Sequence, residues 1–257
     1  MNRPAFRIGH WSEPAARTGC TVILCPPQTV GAAEVRGLAP GTRELALLRP
    51  ETWISHIHAV VLSGGSAFGL AATHGVMEVL QEQGIGHPTS SGPVPLVPAA
   101  VIYDRNVGDP EAYPDAHAGA EAARAAVPLP PETGRVGVGT GATVGKWAGM
   151  AHAHPAGVGY AEALTSGFWV GVLSVVNAVG DVLDSQGHVV AGAKNDRGFL
   201  QEQGMKPLRA MTGVPGENTT HLVLMTSLTM NKRQAYLVAR HLHDAIARRI
   251  DPPHTRY

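Results

Sequence analysis

The stretch HAVVLSGGSAFGLAATHGVMEVLQEQGIG, residues 58–86, constrains the fold more than any other part of the chain. The apolar run from His58 to Ser63 has the length of a buried strand. Gly64-Gly65 supplies a tight turn and Ser66 starts a helix. In that helix Leu70, Met77 and Leu80 fall near helical spacing, and Gly84 supplies the C-terminal stop. A strand passing through two glycines into an amphipathic helix is a unit of layered α/β architecture.

The other segments fit that frame. The alanine-rich stretch Ala116–Ala126 predicts a second helix. Asn231–Ile250 predicts a third, with Ala235, Val238, Leu242 and Ala245 along one face and Thr229 as its N-cap. Phe168–Val179 and His221–Ser227 read as strands, and GDVLDSQGHVVAG as a turn between strands with Ser185-Gln186-Gly187 at its tip. The proline-rich run 86–99, the glycine-rich run 134–145 and the polar run 195–218 read as irregular. Hairpin-like strand pairs among the helices favour a layered sandwich over a doubly wound sheet, and no linker or repeat divides residues 1–257.

Composition excludes several function classes. Twenty basic residues balance 20 acidic ones, so the chain lacks the basic excess by which nucleic acid or an anionic membrane would be bound. Only 16% of residues are charged against 44% hydrophobic, which predicts extensive buried or subunit-covered surface. The N-terminal MNRPAFRIGHWSEP has no apolar signal core, and the apolar run Gly167–Gly180 is too short to span a bilayer. A cytoplasmic protein is expected. Cys20 and Cys25, in the run CTVILC, read as small core hydrophobes rather than a disulfide framework.

Four patterns invite chemistry. GRVGVGTGATVGKW resembles a phosphate loop, yet Thr140 stands where the first glycine belongs and Trp147 follows Lys146, so magnesium has no hydroxyl ligand. A dinucleotide pattern on Gly137, Gly139 and Ala142 lacks a following amphipathic helix, and no cofactor is expected. SGGSAFG resembles a nucleophile elbow, but Phe68 occupies the crowded position that needs glycine, so Ser66 reads as a helix cap before it reads as a nucleophile. The pairs His56/His58, His152/His154 and His241/His243 sit in no metal-binding motif, and no metal is expected.

The fourth pattern is Asn218-Thr219-Thr220, at the entrance of a strand. By itself it is an ordinary strand entrance that happens to match a glycosylation sequon. It also permits one specific reaction, attack of a threonine hydroxyl on the preceding carbonyl. A chain cut there begins with a Thr carrying nucleophile and α-amine base on one residue.

Taken in order, ARTGCTVILCP, VRGLAPGTREL, residues 58–86, VPLVPAAVIYD, VGVGTGATVGK, VLSVVNAVGDVLD and the stretch from Asn218 to Thr255 strongly resemble the self-processing L-aminopeptidase/D-esterase and β-aminopeptidase hydrolases, a family that includes a nylon-oligomer hydrolase. The resemblance implies an αββα four-layer sandwich like that of N-terminal-nucleophile hydrolases, with its own strand connectivity. It implies self-cleavage between Asn218 and Thr219 into a large subunit, 1–218, and a small one, 219–257, with Thr219 as nucleophile. By the same matching Asn177 helps stabilise the oxyanion, and Lys146 and Tyr103 stand near the nucleophile.

The implied substrates are short peptides, amides or esters, without cofactor, and the implied assembly is a homo-oligomer. The alternative is an unprocessed relative acting as a binding or scaffold protein. Family members often carry acidic residues where this chain has Ala71 and His74, and an aspartate near Ala46. They also continue past the match to His254-Thr255 into a short acidic segment, so a chain read to Tyr257 is expected to process or turn over poorly.

Overall fold

The computed structural model describes residues 3–165, 167–207 and 217–255. Six strands form the larger sheet: β1 (Arg7–Glu13), β2 (Thr18–Leu24), β3 (Thr42–Arg43), β4 (Ala59–Ser63), β5 (Ala99–Val101) and β6 (Val127–Pro128), in the order β3-β5-β4-β2-β1-β6. All neighbours are antiparallel except β4 and β5, which the turn and first helix connect as a parallel pair. A second sheet holds β7 (Val158–Thr165), β8 (Phe168–Asn177) and β9 (Thr219–Thr226), in the order β9-β8-β7.

Helices α1 (Ala72–Glu82) and α2 (Ala116–Arg124) cover the larger sheet, and α3 (Lys232–Arg249) lies over the smaller. The apolar clusters define the layers. Val22, Val61 and Ala99 meet Val76, Leu80 and Ala122 beneath α1 and α2. Between the sheets Ile8, Ile23, Leu62 and Ile102 meet Trp169, Leu173, Val175 and Met225. On the far side Ile246 of α3 packs with Val176, Ala178 and Leu222. The result is the expected αββα order of layers. Among the described residues no helix is long and apolar enough to cross a membrane.

Several local readings need adjustment. The segment after β4 begins as a 3₁₀ turn, Ser66–Ala71, before α1. Ser66 does not cap it; Gly65 holds the cap position, and Ser66 itself takes φ 56°. Asn231, not Thr229, caps α3: its side chain accepts from the Gln234 N–H, and the Gln234 side chain accepts from the Asn231 N–H. That reciprocal pair satisfies two of the orphan donors of the first turn. Strands β1 and β7 were not legible, since their burial is irregular or largely exposed. Part of the irregular run read over 195–218, residues 208–216, lies outside the described residues, as do Arg256 and Tyr257.

Both cysteine thiols are free, and burial pushes each up to about 12. Lys232, at the start of α3, is buried and donates to the carbonyl oxygens of Leu47 and Ile54 and to the Thr52 hydroxyl. One ammonium thereby fastens α3 to the segment between β3 and β4.

The α1–α2 crossing depends on two glycines. A Cβ at Gly75 would lie 1.7 Å from the Ala116 carbonyl oxygen, and one at Gly119 would lie 1.9 Å from that of Ala72. The obstacles are backbone atoms, which a rotamer change cannot move. Gly119→Val is therefore expected to cost at least about 2 kcal/mol through overpacking, read as a lower urea midpoint at unchanged slope; an unchanged midpoint would refute the close crossing.

Candidate active site

In β8 burial alternates strictly, and Asn177 falls in the buried set with Trp169, Gly171, Leu173 and Val175. Period-two geometry therefore carries Asn177 into the space between the sheets. Thr219 opens β9 and is the register partner of Asn177. It shares a face with His221, Val223 and Met225, of which the last two pack in the inter-sheet core. The two residues thus meet where the paired strands open toward a cavity of about 1400 Å³. Tyr103, Ser66, Asn218 and Thr219 are among the residues that line it, with Val238 and Leu242 of α3.

The Asn177 side chain is fully buried and bonded through both ends. Its Oδ1 accepts from the Thr143 N–H at 3.0 Å and from Lys146 Nζ at 2.7 Å, while Nδ2 donates to the Tyr103 carbonyl at 2.8 Å. Donors on one side and an acceptor on the other fix which end of the amide is which. Nδ2 keeps a second hydrogen beyond the one given to Tyr103. Lys146 also donates to the carbonyl oxygens of Asn177, at 3.1 Å, and of Glu217, at 3.2 Å.

The structure thus brings Thr219, Asn218, Asn177, Lys146 and Tyr103 together. Asn177 and Thr219 meet by strand register, Lys146 and Tyr103 by bonds to Asn177, and Asn218 by the chain. Ser66 lines the same cavity. The histidine pairs do not converge: among the described residues no group of three or more His, Cys, Asp or Glu could hold a metal ion. His221 donates from Nε2 to the Val101 carbonyl at 3.0 Å, and burial holds its pKa below the usual value.

Desolvation brings the Lys146 ammonium down to about 7, against the opposing charges of Glu217 and Asp104. At neutral pH this amine therefore exists in both protonation states. Sequence reasoning missed Asp104, Glu217 and Thr143. Asp104 had a signal, being the sole acid in the run VPLVPAAVIYD. Glu217 and Thr143 carry none, because they act through a side-chain partner far along the chain.

A profile of peptidase family S58 matches residues 4–257. The chain belongs to peptidase family S58. It is 40% identical over 271 residues to a Mycobacterium leprae protein named as an uncharacterized aminopeptidase, covering 97% of this chain and 73% of that one. It is 30% identical to a 6-aminohexanoate-oligomer endohydrolase of Paenarthrobacter ureafaciens, covering 98% and 70% of the respective chains. The L-aminopeptidase D-Ala-esterase/amidase of Ochrobactrum anthropi, described as a variant of the Ntn hydrolase fold, superposes with a TM-score of 0.65 at 17% identity, over 98% of this chain and 69% of that one. The fold is accordingly of the Ntn hydrolase type, and the family is one of hydrolases.

The Lys146 environment has a measurable consequence. Between about pH 7 and the ordinary lysine value, the unfolded chain carries a proton at residue 146 that the folded chain has lost. The stability contributed by this group rises with pH across that window, by up to about 1.4 kcal/mol per unit. Lys146→Met is expected to remove that slope from urea titrations between about pH 7 and pH 9; an unchanged slope would assign it to another group.

Proposed function

We propose that this S58 hydrolase cuts itself between Asn218 and Thr219 and then uses the new N-terminal Thr219 to cleave short peptides, amides or esters. The observation that carries the reading is the pairing of Thr219 with Asn177 while Lys146 bonds the Asn177 side chain and the Glu217 carbonyl. These contacts collect a nucleophile, a hydrogen-bond donor and a titratable amine at the bond to be cut.

In the first stage the Thr219 hydroxyl attacks the Asn218 carbonyl carbon, and the peptide nitrogen departs as the Thr219 α-amine. The resulting ester is hydrolysed, leaving a carboxylate on Asn218. Lys146, neutral in part at physiological pH, is suited to take the hydroxyl proton, since the α-amine does not yet exist. After the cut that α-amine, with a pKa of about 7.7–8.0, is a base on the nucleophile's own residue.

In turnover the same hydroxyl accepts the substrate's acyl group, the leaving amine or alcohol takes a proton, and water releases the acid. The second hydrogen of Asn177 Nδ2 is the donor assigned to the oxyanion. A fixed, buried donor of this kind stabilises developing charge without reorganising. The Lys232 contacts would hold the 219–257 piece to the larger one after cleavage.

The amide-cleaving relatives support this substrate class; acyl preference is open between aminoacyl and ω-aminoacyl groups. A homo-oligomer also belongs to the proposal, favoured by the low charge content and by the exposure of Leu38 and Trp53, at 89% and 82%.

Intact-mass analysis on prolonged incubation is expected to give two fragments that meet at the 218–219 bond. Thr219→Ala should abolish the cut and lower turnover by roughly a thousandfold or more, whereas Ser66→Ala should still cut. An intact, inactive parent chain would favour the binding-protein alternative. Loss of turnover in Ser66→Ala with Thr219→Ala still active would move the chemistry to Ser66.

A further inference from the structure

Asp104 is a carboxylate that the proposed chemistry does not use, and it is only 2% exposed. A buried charge of this kind is costly unless its oxygens are bonded. Both are: Oδ1 accepts from the Gly65 N–H at 2.7 Å, and Oδ2 from the Thr18 hydroxyl at 2.9 Å. The backbone around it is shaped to admit the group. A Cβ at Gly64 would lie 2.1 Å from Asp104 Oδ2, and one at Gly141 would lie 2.6 Å from its Cβ. The glycine turn after β4 and the glycine-rich run before Lys146 therefore close on a single side chain.

Residues flanking Asp104 contact the candidate site or segments next to it. The Ile102 carbonyl accepts from the Ser66 N–H at 3.1 Å. The Tyr103 carbonyl holds Asn177 Nδ2, and the Arg105 guanidinium lies over the Phe68 ring at 4.8 Å. Asn106 donates to the Glu217 carboxylate at 3.2 Å, two residues before Thr219. A shift of the Asp104 anchor would displace Ser66 and Tyr103, which both line the cavity.

We propose that Asp104 is a positioning residue for the Thr219 site, one that fixes the Gly64-Gly65-Ser66 turn against β2 and the Tyr103 segment and adds a carboxylate to the surroundings of Lys146. The proposal rests on the acyl-transfer reading above only for its effect on cleavage. Three charged groups complete the local set: the charges of Glu217 and Asp104 both favour the Lys146 ammonium, and Arg105 adjoins Asp104 and favours its ionised form. Burial pushes the Asp104 carboxyl above the usual carboxylate value, and the Gly65 and Thr18 bonds and Arg105 offset only part of that rise. Because Asp104 favours the charged form of Lys146, its removal moves the Lys146 titration toward lower pH.

The test uses the full chain carrying Thr219→Ala, so that the 218–219 junction stays intact throughout. Lys146 is pulse-labelled with acetic anhydride at a series of pH values and quantified by peptide mass spectrometry. Asp104→Asn, verified as folded by circular dichroism, is expected to shift the labelling midpoint roughly half a unit or more toward acid, with severalfold more label near neutrality. In the cleavable background it should also slow the 218–219 cut at least severalfold. Thr18→Val, which deletes only the hydroxyl holding Oδ2, should shift the midpoint the same way by less, and it decides the matter if Asp104→Asn does not fold. Midpoints unchanged in the folded variants would overturn the assignment. If the parent never cuts at 218–219 while the midpoints still move, the acyl-transfer reading fails and the Asp104 assignment stands.

Discussion

The buried amide of Asn177 is the contact on which the site's other positions depend. It is the last residue of the central strand of the smaller sheet, and its two ends take up a backbone N–H, an ammonium and a backbone carbonyl from two separate segments. Each buried group left without its partner would cost about 1–3 kcal/mol. The amide therefore holds Thr143, Lys146 and Tyr103 to one another as firmly as a stretch of core would, but with direction. Apolar packing between the sheets brings the strands together, and these bonds decide where polar atoms stand at their open end.

The same arrangement explains why Lys146 is chemically unusual. Three carbonyl-type acceptors surround its ammonium, and two carboxylates face it. Loss of water outweighs both, so the amine sits near neutrality. Its Glu217 contact comes from the residue two before Thr219, whereas Asn177 ends β8 and Asp104 follows β5.

Much of the architecture was legible because it rests on short-range rules. Apolar runs marked β4, β8 and β9, helical spacing marked α1 and α3, alanine content marked α2, and glycines marked the turn at 64–65 and the stop at 84. The misreadings came from choices that tertiary packing makes. Thr229 and Asn231 are both able caps, and reciprocal bonding with Gln234 selects Asn231. Ser66 looked like a cap, but the Gly65 N–H bond to Asp104 and the Ser66 N–H bond to Ile102 turn the backbone otherwise. Strand β1 was hidden because the long antiparallel pairing that defines it is with β2, not within its own pattern.

For the site, the family resemblance named Thr219, Asn218, Asn177, Lys146 and Tyr103, since by residue type alone they read as a strand entrance, a strand-end amide, a surface lysine and a core-edge tyrosine. The sequence by itself determined the family, the order of layers and these candidates. Only the tertiary structure decided that Thr219 faces Asn177 across one ladder, that Lys146 is stripped of water, and that Asp104 lies under the glycine turn. Those facts depend on contacts between positions 31 to 86 residues apart, where desolvation and hydrogen-bond geometry, not local propensity, set the outcome.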